Sequence, residues 1–285
     1  MKKLIYFFEF IFIYIFFIFF KILGYRSSSN LGFIIGKIFG PIFRSKKLII
    51  NNLKKSNITL KQTHLKVANN VLGNYGRIFA EYPFLKKFRT NELNKFIDID
   101  GKEYLEKIKS EKKSVVFVSG HFNNFELMAM FLDNAGVKIS AIYRPLNNIF
   151  LNQIIEGIRK KYICKNQIKK GIGGLKKLIT LKKNNLSTAI MIDQRVSEGI
   201  LSDFFNHKAS TTSIPAELVK KFNIDIVPVY IERIEGINFK IKIYKPLNFN
   251  EESSVQNITD KLNQILETMI VKKPEQWIWS HNRWK

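Results

Sequence analysis

The chain has 285 residues, 47 basic against 23 acidic side chains, a formal net charge of +24 and 46% hydrophobic residues. That length accommodates one full core with an appendage; the single cysteine, Cys164, excludes an internal disulfide; and the four histidines stand so far apart that no His/Cys/Asp/Glu group has metal-ligand spacing, so no metal is expected. The positive excess points to anionic partners, whether a membrane surface, a phosphorylated substrate, an acidic carrier protein or nucleic acid, or simply to a composition rich in Lys, Asn, Ile and Phe throughout.

Residues 4–23 form an apolar run broken only by Tyr6, Glu9, Tyr14 and Lys21. As a helix the run spans roughly 30 Å, the thickness of the hydrocarbon core. Its Leu, Ile and Phe residues together favour insertion by on the order of 5–9 kcal/mol, against about 3 kcal/mol for one central acid, and Glu9 is off-centre. A signal peptide has a shorter apolar core followed by small residues, whereas here Lys21, Tyr25 and Arg26 precede serines 27–29. The run is apolar all round, which argues against a helix lying in the membrane plane. Lys2 and Lys3 precede it; Lys21, Arg26, Lys37, Arg44, Lys46, Lys47, Lys54 and Lys55 follow. The heavier positive side predicts that the main domain faces the cytoplasm. The expected division is a membrane-anchor helix over 1–24 and one domain over 25–285.

Residues 30–43 are apolar with glycines at 32, 36 and 40, which fits either a second interfacial helix on the bilayer or plain core packing. Residues 45–90 read as amphipathic helices with Tyr75, Ile78 and Phe79 on one face. A short strand follows at 96–99 and a Lys/Glu-rich helix at 102–112, which closes a helical N-terminal part. From residue 115 strands alternate with helices. Strands are predicted at 115–118, 138–143, 188–192, 226–231 and 239–244, and helices near 125–134, 149–162, 174–183, 215–222 and 255–271. The fold class is therefore α/β, a mixed, largely parallel sheet flanked by helices, behind the N-terminal hydrophobic anchor helix.

The first predicted strand of this α/β part ends at Ser119-Gly120, and His121 sits where strand hands over to helix, the place where α/β folds present reactive groups. An imidazole with an ordinary pKa near 6.5 accepts a proton well at neutrality, provided its other nitrogen is held and the imidazolium is stabilised. Glu126, five residues on, is close enough in sequence to do both. The same two residues also fit a polar helix start with an acid in its first turn. Arg144 closes the next strand and Arg159 lies in the next helix, beside Lys160 and Lys161; arginine suits forked recognition of phosphate or carboxylate, and each also fits a solvated surface charge. Residues 189–192 form an apolar strand ending in Asp193 and Gln194, which a parallel sheet brings near His121. Asp193 fits a role in orienting Arg159 or another cation of the site, or that of a turn residue. Ser210-Thr211-Thr212-Ser213 before Pro215 reads as a helix cap with an anion-binding helix start as the alternative. Gly171-Ile172-Gly173-Gly174 lacks the rest of a phosphate loop and reads as a turn.

Taken together these segments resemble the bacterial lipid A biosynthesis acyltransferases, the lauroyl/myristoyl transferase family of the lysophospholipid acyltransferase-like superfamily. Gly120-His121-Phe122-Asn123-Asn124-Phe125-Glu126 resembles the family's His-x4-acid motif, Gly-His-Phe-Gly-Asn-Trp-Glu. Tyr143-Arg144-Pro145-Leu146-Asn147-Asn148 resembles Tyr-Arg-Pro-Leu-Asp-Asn. Asp193-Gln194, then Phe204-Phe205, then Ala209-Ser210-Thr211-Thr212 follow its Asp-Gln, Phe-Phe-Gly and Ala-x-Thr segments. The ending from Pro274 through Trp277, Trp279, His281 and Arg283 is similar to Pro-Glu-Gln-Trp-Leu-Trp-x-His-x-Arg. The departures are Asn123 for a glycine, Phe125 for a tryptophan and Asn206 for a glycine.

The resemblance implies an enzyme of the bacterial inner membrane, working on its cytoplasmic face, that moves a fatty acyl chain from acyl carrier protein to a hydroxyl of a phosphorylated lipid A precursor. It implies His121 as general base with Glu126 orienting and stabilising it. Arg159 would meet phosphate or developing negative charge, Asp193 would position a donor, and Arg144 and Gln194 would contribute to substrate binding. No metal or organic cofactor is implied. The partners implied are the thioester donor, the anionic glycolipid and the bilayer. The alternative within the same chemistry is acylation of another membrane phospholipid or glycolipid, from acyl carrier protein or coenzyme A. No nucleic-acid module is recognisable, and nucleic acid is not an expected partner.

Overall fold

The computed structural model describes residues 1–171, 178, 180 and 185–285. Helices α1 (Lys2–Leu23), α2 (Tyr25–Phe43), α3 (Lys46–Lys55), α4 (His64–Glu81) and the short α5 (Leu85–Arg89) make the N-terminal part. Strand β1 (Ile97–Asp100) and α6 (Lys102–Ser110) lead into the alternating region. There follow β2 (Val116–Ser119), α7 (Glu126–Asn134), β3 (Ile139–Tyr143), α8 (Ile149–Ile158) and β4 (Asn166–Lys169). After these come β5 (Ser187–Met191), β6 (Ile200–Phe204), β7 (His207–Thr211), α9 (Ile214–Phe222), β8 (Ile226–Glu235), β9 (Asn238–Ile243) and α10 (Val255–Lys272). The predicted helix 174–183 lies almost wholly outside the described residues, as does most of the 171–174 turn.

The described strands form a seven-stranded sheet in the order β1-β9-β8-β2-β5-β3-β4 and a separate β6-β7 hairpin. Every pair in the large sheet is parallel except β8 with β9, as the mixed, largely parallel sheet of the sequence reading requires. Strand β2 sits inside the sheet and is buried along its whole length, which is why it reads as an unbroken β-branched and aromatic run rather than an alternating one. In the register β2 against β5, Ser119 is opposite Met191. Two residues beyond that pair, the chain reaches His121 on one strand and Asp193 on the other.

Three corrections to the sequence reading concern elements around this edge. Asn166–Lys169 is an edge strand, β4, where none was predicted. Residues 200–211 form a hairpin, so Ser210 and Thr211 are strand residues; Ser213 holds the N-cap position, and it is Thr212 Oγ1 that accepts the Ile214 N–H (3.4 Å). The hairpin turns at Phe205 and Asn206, both with positive φ (51° and 58°). A two-residue turn of this kind favours Asn or Gly at its second position, which accounts for Asn206 where the family carries glycine. Third, the helix expected over 149–162 gives way after Ile158 to a π-helical turn, Arg159–Ile163.

The spaced glycines of α2 face α4. A Cβ placed on Gly76 would lie 2.0 Å from the Gly32 carbonyl oxygen, and one on Gly36 would lie 2.4 Å from the Leu72 carbonyl oxygen. The two backbones are therefore in contact, and core packing is the reading that holds for this face of α2. Gly76→Ala is expected to force the helices apart and destabilise the protein by about 1–3 kcal/mol, read as a lower urea midpoint. Its opposite face exposes Ile34, Ile38, Phe39, Ile42 and Phe43.

Helix α1 is the one described helix long and apolar enough to cross a membrane, with a mean hydropathy of 2.2, and it suggests a membrane anchor. It lies along the folded body rather than away from it. Phe7 and Phe10 meet Phe150 of α8 at ring-centroid distances of 5.6 and 6.2 Å, and Phe17 meets Phe79 of α4 at 5.2 Å. The one acid in the run has a partner: Asn148 Nδ2 donates to Glu9 Oε2 (3.0 Å) and to the Tyr6 carbonyl (2.8 Å). The outer stripe, including Ile5, Phe8, Phe12, Ile15, Ile18 and Ile22, is exposed.

Candidate active site

His121, Glu126, Arg159 and Asp193 converge beyond the carboxyl ends of β2, β3 and β5. They form two side-by-side pairs. His121 Nδ1 bonds Asp193 Oδ1 at 2.7 Å, and the His121 backbone N–H donates to Asp193 Oδ2 at 2.6 Å. Arg159 donates to Glu126 Oε1 through Nε (2.8 Å), and its Nη2 lies 2.6 Å from the same oxygen. The expected contact of Glu126 with the imidazole is therefore not the one formed, and of the partners open to Asp193, Arg159 or another cation of the site, the carboxylate bonds His121. The β2–β5 register explains the exchange. It sets the two strand-end residues face to face, while Glu126 opens α7 one turn further on and points to the π-helical turn that carries Arg159.

The electrostatics follow from this pairing. Burial disfavours a charged imidazole, but the Asp193 charge, the Asp193 hydrogen bond and the Glu126 charge together outweigh it, so His121 titrates above its ordinary 6.5. Burial likewise acts to raise the Asp193 carboxyl. The His121 charge, its two hydrogen bonds and the Trp277 indole outweigh that, holding the carboxyl below its ordinary 3.8. Since the folded His121 value is raised, the pair's stabilisation is fully present below about 6.5 and fades as pH rises through the folded value; since the Asp193 value is lowered, it is present above about 3.8 and fades as pH falls through the folded one. The Asp193 side chain is fully buried and the His121 side chain 20% exposed. The ring is held at Nδ1, and Nε2 has no hydrogen-bond partner among the described residues. Phe125, in place of the family's tryptophan, stands edge-on to the ring at 4.8 Å.

Arg159 also lies over the Tyr143 ring, 5.9 Å from its centroid. Burial alone would lower its pKa, but the Glu126 charge leads a set of interactions that raise it, so the guanidinium stays charged. Arg144 and Gln194 occupy the loops after β3 and β5, and neither makes a side-chain hydrogen bond among the described residues. Arg144 is exposed and Gln194 half-buried.

The loop that carries His121 is fastened from below by Arg233 and Glu81, which the sequence reading did not single out. Gly120 has no room for a side chain, since a Cβ would lie 2.9 Å from Leu266 Cδ1 and 3.1 Å from Asp193 Oδ2. Asn123 adopts a φ of +40°, a left-handed conformation that glycine takes freely and asparagine tolerates, so the departure from the family's glycine is a compatible one. Its side chain donates to Gln276 Oε1 and accepts from Arg233 Nε (3.1 Å). Beneath it Arg233 Nη2 pairs with buried Glu81 (2.8 and 3.0 Å), which also accepts from Ser29 and Asn124. None of these partners is close in sequence, so no spacing signal announces them.

The profile of the family described as "Bacterial lipid A biosynthesis acyltransferase" matches residues 1–285. Among curated proteins, the "Lipid A biosynthesis acyltransferase 2" of Shigella flexneri is 24% identical over 185 residues, 63% of this chain and 58% of that protein. A "Lipid A biosynthesis acyltransferase" of Haemophilus influenzae is 20% identical over 192 residues, 66% of this chain and 58% of that protein. The "Lipid A biosynthesis myristoyltransferase" of Escherichia coli K12 is 21% identical over 188 residues, 64% and 57% of the two chains. The chain thus spans less than two thirds of the length of each of these relatives.

Proposed function

The chain belongs to the bacterial lipid A biosynthesis acyltransferase family, and on that premise we propose that it is a membrane-bound O-acyltransferase moving a fatty acyl chain from acyl carrier protein to a hydroxyl of a phosphorylated lipid A precursor. The observation that carries the reading is the held imidazole: Nδ1 on buried Asp193, Nε2 without a hydrogen-bond partner among the described residues. The acceptor hydroxyl gives its proton to Nε2 as its oxygen bonds the thioester carbonyl carbon. The negative charge collects on the carbonyl oxygen. Collapse breaks the carbon–sulfur bond, and the imidazolium returns its proton to the leaving thiolate, giving ester and thiol. Asp193 fixes the ring's tautomer and balances its charge, the task the motif alone assigns to Glu126. Glu126 instead aims Arg159, whose remaining N–H groups serve a phosphate or the developing oxyanion. Arg144 and Gln194 extend the substrate surface.

The anchor reading of α1, with the domain on the cytoplasmic side, fits a lipid acceptor and a soluble acidic donor, and the +24 net charge suits both. The test is transfer of labelled acyl chains in membranes from acyl carrier protein, with coenzyme A as the competing donor and a phospholipid as the competing acceptor. The reading expects product on the lipid A precursor with the carrier-protein donor; product only on the phospholipid would move the assignment to a different acceptor lipid. Because a general base must be neutral and His121 titrates above its ordinary value, kcat/KM is expected to rise with pH through a limb above about 6.5. A limb well below 6.5 would contradict the pairing with Asp193.

A further inference from the structure

We propose that the C-terminal segment from Pro274 to Arg283 is a clamp on the reaction centre and that Trp277 within it is a positioning residue, its indole N–H holding the carboxylate that holds the imidazole. The inference rests on the acyltransferase reading for its catalytic meaning. Trp277 Nε1 donates to Asp193 Oδ2 at 2.9 Å, the oxygen that also accepts the His121 backbone N–H. Asp193 therefore has three donors, two from the residue it orients and one from outside. Trp277 is the one of the three that comes from outside the His121 loop, so it fixes the carboxylate independently of how that loop and its ring move.

The segment grips both strand-end loops. On the β2 side, the Gln276 carbonyl accepts from the Asn123 N–H (2.9 Å) and its side chain bonds Asn123 and the Arg233 backbone (2.8 and 2.9 Å). On the β5 side, besides Trp277, His281 Nε2 accepts from the Arg195 N–H (2.8 Å). The tail is itself pinned by fully buried Arg283, which donates to the Ser210 carbonyl (2.8 Å) and Thr211 Oγ1 (2.6 Å) of β7. Trp277 is packed by Phe204 and Trp279, at 5.7 and 4.7 Å between ring centroids. Trp279 makes the useful contrast: it is equally buried and its indole donates to the Pro274 carbonyl (2.7 Å), not to the reaction centre. The charged and titratable groups facing the pair are Glu126 from α7, Arg159 after α8, Tyr75 from α4, and His281 and Arg283 on the tail.

The test follows the His121 ring and the three tryptophan indole N–H resonances by NMR across pH in the full chain held in detergent micelles, with acyl transfer measured in parallel. In the wild type the Trp277 N–H is expected to shift with the His121 midpoint while Trp279 stays flat. Trp277→Phe removes the donor, leaves more carboxylate charge to the ring, and is expected to raise the His121 midpoint by a few tenths to about one unit and lower kcat by about five- to tenfold. Trp279→Phe, a like truncation, is expected to leave the midpoint in place. A Trp277 N–H that is flat through the His121 titration overturns the proposal even if Trp277→Phe fails to fold, and so does an unmoved midpoint in a folded Trp277→Phe. Co-titration in a wild type that transfers no acyl chain would keep the clamp and sink the acyltransferase reading; transfer with a flat Trp277 would do the reverse.

Discussion

Asp193→Asn is expected to lower kcat for acyl transfer by about 10³–10⁴-fold while the protein stays folded. The amide keeps the shape and the Trp277 and backbone contacts on Oδ2. What it changes is the group opposite His121 Nδ1, where an acceptor becomes able to donate. The imidazole is then drawn to the tautomer with its proton on Nε2, the atom that must accept from the hydroxyl. The charge that stabilises the imidazolium is lost as well. With the Asp193 charge removed and the burial retained, the acid limb is expected to move below its wild-type position. Steady-state kinetics over a pH series checks both effects. Glu126→Gln separates the two carboxylates: it loosens Arg159 and removes the lesser of the two charges acting on the imidazole, so its limb should move less than that of Asp193→Asn.

The second large effect is on stability. Glu81 and Arg233 form a buried pair at 2.8 Å, with side chains 0% and 6% exposed. Glu81→Gln leaves Arg233 charged in a site with no replacement acid, and is expected to cost about 3–5 kcal/mol in urea unfolding. Exchanging both residues for methionine should recover most of that, because two desolvated charges leave together. The double variant loses the ties of Glu81 to Asn124 and Ser29 and of Arg233 to Asn123, so its recovered stability should come without full recovery of turnover. A single-variant loss below about 1 kcal/mol would mean the pair contributes little to holding this loop.

The contrast between the two effects shows what the sequence made legible. The α/β class and the order of the central strands follow from local apolar runs, and β2, β3, β5 and β8 lie within a residue or two of their predicted starts. The proximity of His121 to Asp193 was also readable, since both stand just past apolar strands that a parallel sheet brings together. Which carboxylate bonds the imidazole was not. Sequence spacing favours Glu126 because it is near in the chain, whereas the pairing is decided by strand register and by where α7 points, and both depend on the whole sheet. The edge strand β4 and the β6–β7 hairpin were missed for another reason. They are polar or half-buried and carry weak period-two signals, and the turn between the hairpin strands uses Phe205 in a left-handed conformation that few sequences would suggest. Trp277, Gln276, Arg233 and Glu81 lie 43 to 153 residues from their partners in the His121 loop and on Asp193, and a single sequence carries no trace of such contacts.

In the proposed reaction His121, held by Asp193, takes the proton of the acceptor hydroxyl. Transfer of labelled acyl chains from acyl carrier protein to a lipid A precursor, run in membranes with the wild type beside His121→Ala, tests it most directly. Product is expected with the wild type, and a rate about 10²–10⁴-fold lower with the variant. Equal rates from the two proteins would contradict it.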